Sequence, residues 1–175
     1  MPRRHNHADI SNYTPMSQGG MERAVEAVQY YSHRPDESGR VQFRSGFDSD
    51  RDHLAKSEML DGLSEARDQG ARYVYSVVLS PDHRAAGRDL KEYTREVVDG
   101  TLRERHGEGL AWKAIVHDNQ NGHPHVHVVL MTRVTLNRTE FRQFNRQVDD
   151  SWRGGDQQRH EQEHQQEWGH EGWML

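Results

Sequence analysis

Residues 110–131 read LAWKAIVHDNQNGHPHVHVVLM, and this stretch decides the fold. Both of its ends are rich in apolar and β-branched side chains, a composition that is typical of strands. The segment DNQNG between them, at 118–122, favours a turn. The stretch therefore predicts an antiparallel hairpin with one strand over 110–117 and the other over 125–131.

Histidines mark the tip of this predicted hairpin. Residues two apart in a strand point to the same face, so we expect His125 and His127 to project from one side, with Val126 and Val128 buried on the other. His117 ends the preceding strand and can face them across the hairpin. Three imidazoles on a two-stranded platform predict a site for a divalent ion such as Mn²⁺, Zn²⁺ or Ni²⁺, with open positions for substrate.

Other interpretations of these residues stay open. Histidine is also tolerated on a sheet face without a chemical role. The run HPHVHVV at 123–129 fits the pattern of histidine-triad nucleotide hydrolases as well, in which the middle histidine attacks a nucleotide phosphate without a metal. His123 is either a turn residue or a substitute for His117 as a ligand. Asp118 either orients a ligand imidazole or caps the turn.

The remaining periodic segments complete an α+β pattern. Apolar spacing predicts helices over about 21–33, 50–70, 90–107 and 139–152, and the run YVYSVVL at 73–79 predicts a buried strand. We expect an antiparallel sheet of about four or five strands with helices on one face. Residues 1–20 are expected to form a polar arm, residues 21–152 one domain, and residues 153–175 a mobile polar tail rich in Gln, Glu and His.

The composition excludes several classes of function. The chain has 175 residues and no cysteine, which excludes disulfides, thiolate nucleophiles and Cys-ligated zinc. It contains no apolar run long enough to span a bilayer and no apolar secretory stretch near its start. We therefore expect a cytoplasmic protein without a membrane partner.

Charge is distributed unevenly along the chain. The net charge of −5 disfavours nucleic-acid binding when it is taken alone. Residues 133–146, however, carry four arginines and one glutamate, a local net charge of +3. On a helix, Arg138, Arg142 and Arg146 would form a basic ridge, which predicts a DNA-binding face. An ordinary solvated helix face is the alternative.

Beyond these residue-level arguments, the chain resembles a known family. The strand at 73–80 with LSPD, the helical segment DLKEYTREVVDG and the stretch LAWKAIVHDNQNGHPHVHVVL together resemble conjugative relaxases, especially those of plasmid mobilisation. Relaxases of this kind are HUH endonucleases, in which two histidines flank one hydrophobic residue. The resemblance extends over residues 24–152 and is strongest at 73–131.

The resemblance implies both a function and a set of residues. It implies the ferredoxin-like palm of HUH enzymes, and cleavage of single-stranded DNA at an origin-of-transfer-like site with Mg²⁺ or Mn²⁺ on His117, His125 and His127. Residues 28–32 match the family's V-x-Y-hydrophobic-Ser/Thr segment with Tyr30 as the nucleophile, whereas a Tyr-x-x-Arg alignment chooses Tyr31. A 5′-phosphotyrosyl intermediate would allow strand rejoining during plasmid mobilisation, with accessory DNA-processing proteins as further partners.

The sequence departs from the relaxase pattern in three places. Residues 1–20 do not resemble an opening strand, the loop between His117 and Pro124 is long, and the extended C-terminal region of relaxases has no counterpart. We expect a minimal nickase or the nuclease part of a larger protein. The alternatives are a rolling-circle replication initiator with the same chemistry, a histidine-triad nucleotide hydrolase or transferase, and a DNA-binding protein without activity.

Overall fold

The computed structural model of the chain describes residues 7–11, 13–33, 35, 39–41, 43–80, 89–117 and 124–148. Six strands in this part of the chain form one antiparallel sheet. They are β1 (His7–Ile10), β2 (Thr14–Pro15), β3 (Gly46–Phe47), β4 (Tyr73–Ser80), β5 (Leu110–His117) and β6 (His125–Thr132). Their order is β1-β4-β6-β5-β3, with β2 beside β4, so the predicted hairpin forms the middle of the sheet.

Four helices are present among the described residues: α1 (Gly20–His33), α2 (Lys56–Asp68), α3 (Leu90–His106) and α4 over residues 138–148. The Asp89 side chain caps α3 by accepting hydrogen bonds from two backbone amides. Helix α2 begins several residues later than the sequence predicts, because Leu54 pairs with Gly46 in an isolated β-bridge.

The helices cover both faces of the sheet. On one face, strand residues pack against α3 and α4 in a core that includes Tyr75, Val77, Val128 and Phe144. On the other face they pack against α1 and α2 in a core that includes Val28, Leu63, Val74 and Val129. The α+β class and the antiparallel sheet are confirmed, but the helices flank two faces rather than the expected one. The physical reason is that β4 and β6 carry apolar side chains on both faces, and both must be covered.

Part of the segment expected to form an N-terminal arm belongs to the sheet instead. Strand β1 pairs with β4 from His7↔Ser80 to Ile10↔Val77, and β2 pairs with the start of the same strand. Ala8 is buried in the core beneath α3. Strand pairing uses backbone groups, so a short and mostly polar segment carries little sign of it in its sequence.

Two further expectations concern the C-terminal tail and membrane-spanning helices. Residues 153–175, expected to form a mobile tail, lie outside the described residues. None of the helices that the structure describes combines the length and the apolar character that a membrane span requires.

Candidate metal centre

The tip of the β5–β6 hairpin brings three histidines together. His117 lies opposite His125 and Ile115 lies opposite His127 in the strand register. Ring centroids are 5.2 Å apart for His117 and His125, 4.5 Å for His117 and His127, and 4.8 Å for His125 and His127. One ligand nitrogen from each ring lies within 4.8 Å of the other two, so the three side chains could bind one metal ion.

Strand alternation determines which face of the sheet carries the three histidines. Val126 and Val128 lie in the core on the α3 and α4 side, so the histidines project towards α1 and α2. His117 is 1 % exposed and His127 8 % exposed, whereas His125 is only partly buried. His125 is therefore the most exposed of the three side chains.

The orientation of His117 is set by helix α1. Its Nε2 donates a hydrogen bond to the backbone carbonyl of Tyr31, with 2.9 Å between the two atoms. A carbonyl oxygen only accepts, so Nε2 must carry the proton, and Nδ1 is the nitrogen that can bind a metal. Hydrogen bonds of this kind fix the tautomer and the direction of metal-binding imidazoles.

Tyr31 covers the cluster from the last turns of α1. Its ring stacks on His127, with centroids 4.0 Å apart and planes 16° from parallel. Burial raises the pKa of the Tyr31 hydroxyl, and a hydrogen bond with the Ser76 side chain offsets part of that rise. Tyr31 is therefore a packed phenol, and its hydroxyl is directed towards β4.

Tyr30, the residue predicted as nucleophile, lies on the solvent side of Tyr31. Its side chain is 58 % exposed, and its ring centroid is 5.8 Å from that of Tyr31. Successive residues of a helix point about 100° apart, which explains why one tyrosine packs on the sheet and the other does not. Tyr31 also packs with Val28 in the core beneath α1, as the apolar stripe formed by Ala24, Val28 and Tyr31 at i, i+4 and i+7 predicts.

The donor set favours some metals over others. The described residues contribute three imidazoles to the cluster and no carboxylate. Magnesium and manganese prefer oxygen ligands, whereas imidazole suits Zn²⁺, Ni²⁺ and related ions. The three histidines could therefore bind one divalent ion, to which they would contribute nitrogen ligands alone.

The basic ridge predicted for DNA binding is not at this site. Arg138, Arg142 and Arg146 are exposed on α4, which packs through Phe144 and Val148 on the opposite face of the sheet from the histidines. The structure thus brings His117, His125 and His127 together with Tyr31, which Tyr30 contacts in turn, but not with the arginines. Asp118 and His123, the other predicted site residues, lie outside the described residues.

Sequence reasoning missed two groups beside the cluster. Ser76 reaches Tyr31 from β4, and the signal for it was a polar side chain inside an otherwise apolar strand. Phe43 contacts His33 at the end of α1, with ring centroids 5.8 Å apart. The only signal for Phe43 in the sequence was an aromatic residue within the polar segment that follows the helix.

Comparison with known proteins gives little beyond these findings. The sequence matches no protein-family profile and no curated protein. Among solved structures, the chain is similar to one described as the molecular basis of vancomycin resistance transfer in Staphylococcus aureus. That similarity has a TM-score of 0.39 and 10 % sequence identity, and it covers 78 % of this chain and 74 % of the other. A likeness this distant assigns the chain to no family.

Proposed function

We propose that the protein is a metal-dependent, single-stranded DNA endonuclease and transesterase that acts in plasmid mobilisation, with Tyr30 as its nucleophile. One observation carries the proposal. Three histidines, whose ligand nitrogens lie within 4.8 Å of one another, lie against the end of a helix that contains two tyrosines. A metal site and a nearby phenol are the two parts that tyrosine-dependent phosphodiester cleavage requires. Tyr31 contacts the histidines, and Tyr30 precedes it on the same helix with its ring centroid 5.8 Å from that of Tyr31.

The proposed reaction is a displacement at phosphorus. The Tyr30 phenolic oxygen forms a bond to the phosphorus as its proton passes to solvent, and the bond from phosphorus to the 3′ oxygen breaks. The 3′ oxygen takes up a proton and leaves as a hydroxyl, so the product is a 5′-phosphotyrosyl protein. His117, His125 and His127 would hold a divalent ion, which would supply positive charge at the scissile phosphate. The phosphodiester is exchanged and not hydrolysed, so a second displacement can rejoin strands without ATP.

The environments of the two tyrosines support Tyr30 over Tyr31 as the nucleophile. The Tyr31 ring is stacked on His127, and its hydroxyl already bonds to Ser76. The exposed ring of Tyr30 is accessible to a DNA backbone. In this proposal Tyr31 is a positioning residue, which holds His127 by stacking and His117 through its backbone carbonyl.

The proposal is tested by the covalent adduct. The full chain is incubated with a long, labelled single-stranded DNA of mixed sequence and Mn²⁺, and the products are separated under denaturing conditions. We expect a labelled protein band that is absent with EDTA and absent for Tyr30→Phe. Cleavage that continues with EDTA in a His125→Ala, His127→Ala double variant would exclude the proposal. Phosphate release from nucleotides without a metal, together with no adduct, would favour the histidine-triad alternative.

A further inference from the structure

An exposed apolar surface lies at the end of α1 and is formed by His33, Val41 and Phe43. Phe43 is 52 % exposed and Val41 62 % exposed, which places them among the most exposed large hydrophobic side chains of the described chain. The His33 ring meets the Phe43 ring with centroids 5.8 Å apart and planes 66° from parallel. We call this the Phe43 surface.

Backbone contacts hold the Phe43 surface in place. The backbone amide of Arg44 donates a hydrogen bond to the carbonyl of Ser32, with 3.1 Å between the atoms. Val41 forms an isolated β-bridge with Pro35. His33 Nδ1 donates to the carbonyl of Gln29 one helical turn earlier, which orients the ring. Arg44 therefore lies beside the last turn of the helix, and Val41 lies beside Pro35, just after the helix ends.

The same helix end joins this surface to the candidate metal centre. The carbonyls of Tyr31 and Ser32 are neighbours in the chain, and the first accepts from His117 while the second accepts from the backbone of Arg44. The terminal carbonyls of a helix need partners of this kind, because no further turn supplies their donors. Successive carbonyls of α1 thus bond to His117 and to the residue that follows Phe43, and Tyr30 precedes both carbonyls on the same helix.

The chemistry of the surface points to an occupant. Exposed aromatic rings at the helix end that contacts the candidate metal centre match the way proteins bind single strands, in which bases stack on aromatic side chains. Residues 33–44 contain three arginines, Arg34, Arg40 and Arg44, against Asp36 and Glu37, so the segment is net positive in a chain of net charge −5. We infer that the Phe43 surface stacks a base of single-stranded DNA next to the phosphate that Tyr30 attacks. This inference rests on the proposed function.

The test compares exposed aromatics at opposite ends of the sheet. Tyr13 is 47 % exposed and contacts Tyr73 at the start of β4, whereas His127 lies beside Val78 near the end of that strand. Tyr13→Ala is therefore a matched control for Phe43→Ala. Binding of the full chain to labelled oligo(dT) is measured by fluorescence anisotropy at several salt concentrations. Phe43→Leu and Phe43→Tyr separate apolar area from an aromatic face.

We expect Phe43→Ala to weaken oligo(dT) binding about tenfold at every salt concentration, since base stacking contributes roughly that much and releases no counterions. Phe43→Leu should lose most of the same affinity, Phe43→Tyr should keep it, and Tyr13→Ala should bind as the parent does. Parent-like binding by Phe43→Ala or Phe43→Leu, with the covalent adduct still formed, would overturn this inference alone. A parent that neither binds oligo(dT) nor forms the adduct would overturn the proposed function and this inference together.

Discussion

The hydrogen bond from His117 Nε2 to the Tyr31 carbonyl links the metal centre to the tyrosine helix. Because it leaves Nδ1 as the nitrogen that could bind a metal, the position of α1 decides which atom of His117 would face an ion. The stacking of Tyr31 on His127 adds a second link between the same two elements. A shift of α1 would therefore disturb two of the three ligands at once.

The first prediction, at the residue scale, concerns metal binding by His125. Replacing His125 by Ala removes one of three ligands from a partly exposed position, so the fold should survive while metal binding is lost. Loss of a group that only orients a ligand lowers metal affinity about 10- to 100-fold, so loss of a ligand should cost at least about 100-fold. Titration calorimetry with Mn²⁺ and Zn²⁺ measures this.

His53→Ala is the matched control for the metal prediction. His53 is an exposed histidine outside the cluster, so its replacement should leave the titration unchanged. Unaltered affinity in His125→Ala would show that the cluster does not bind the ion.

The two tyrosines make the second prediction. Tyr30→Phe should abolish the covalent DNA adduct and leave oligo(dT) affinity nearly unchanged, because only a hydroxyl is removed from an exposed ring. Tyr31→Phe should retain the adduct, since it preserves the ring that stacks on His127 and loses only the bond with Ser76. The opposite pattern, with the adduct lost only in Tyr31→Phe, would show that Tyr31 is the nucleophile.

At the scale of elements, helix α4 is separated from the metal centre by the thickness of the sheet. Its arginines can contact DNA only if the strand passes around an edge of the sheet. A short oligonucleotide bound at the histidines should therefore bind equally well to the parent and to the Arg142→Ala, Arg146→Ala variant. A strand long enough to reach both faces should show a difference.

The third prediction concerns this salt dependence. Each phosphate contact on a single strand contributes about 0.7 to the slope of log affinity against log salt, so losing two arginines should lower the slope by about 1.4 with a long strand. Metal affinity should not change, because neither arginine approaches the cluster. An unchanged slope with the long strand would confine the DNA path to the face that carries Phe43.

The segment between β3 and α2 is tied to the sheet by a buried ion pair. Lys113 Nζ lies 2.6 Å from Asp48 Oδ2, and the two side chains are 13 % and 9 % exposed. Asp48 also accepts hydrogen bonds from the backbone amides of Asp50 and Arg51. Gly62 on α2 leaves the space that the Lys113 side chain occupies, since a Cβ there would lie 2.5 Å from the Lys113 Cε atom.

At the scale of the whole molecule, this pair should contribute to stability. Removing one partner of a buried pair costs about 3–5 kcal/mol, and we expect about 2 kcal/mol for Asp48→Asn, because the amide oxygen can still accept from the backbone. Chemical denaturation followed by circular dichroism measures the difference. Asp52→Asn is the control: its exposed carboxylate pairs with Arg95, so a much smaller change is expected.

The fourth prediction, on the stability of Asp48→Asn, has a second test in the pH dependence of the stability difference between parent and variant. Burial raises the pKa of Asp48, but hydrogen bonds from Lys113 and the backbone outweigh it, so the net pKa is lowered on folding. The stabilisation is therefore complete above the ordinary Asp pKa and is lost as the pH falls through the lower folded-state value. Parent and Asp48→Asn should converge in stability under acid conditions, and a constant gap down to low pH would exclude Asp48 as the cause.

The sequence by itself determined the features that depend on local pattern. The β5–β6 hairpin, the alternation that puts His125 and His127 on one face, and the apolar stripe that buries Tyr31 all follow from spacings of a few residues. Side-chain direction in strands and helices repeats with a fixed period, so a short stretch is enough to define it. These features account for the α+β class and for the three histidines of the candidate site.

Only the tertiary structure decided how these parts meet. His117 and the Tyr31 carbonyl are 86 residues apart in the chain, and their contact depends on where α1 docks on the sheet. The same is true of the pairing of β1 with β4, the helices on both faces and the position of α4 away from the histidines. Docking depends on the complementary shapes of two buried surfaces. The apolar periodicity of one helix or strand does not specify which other surface it packs against.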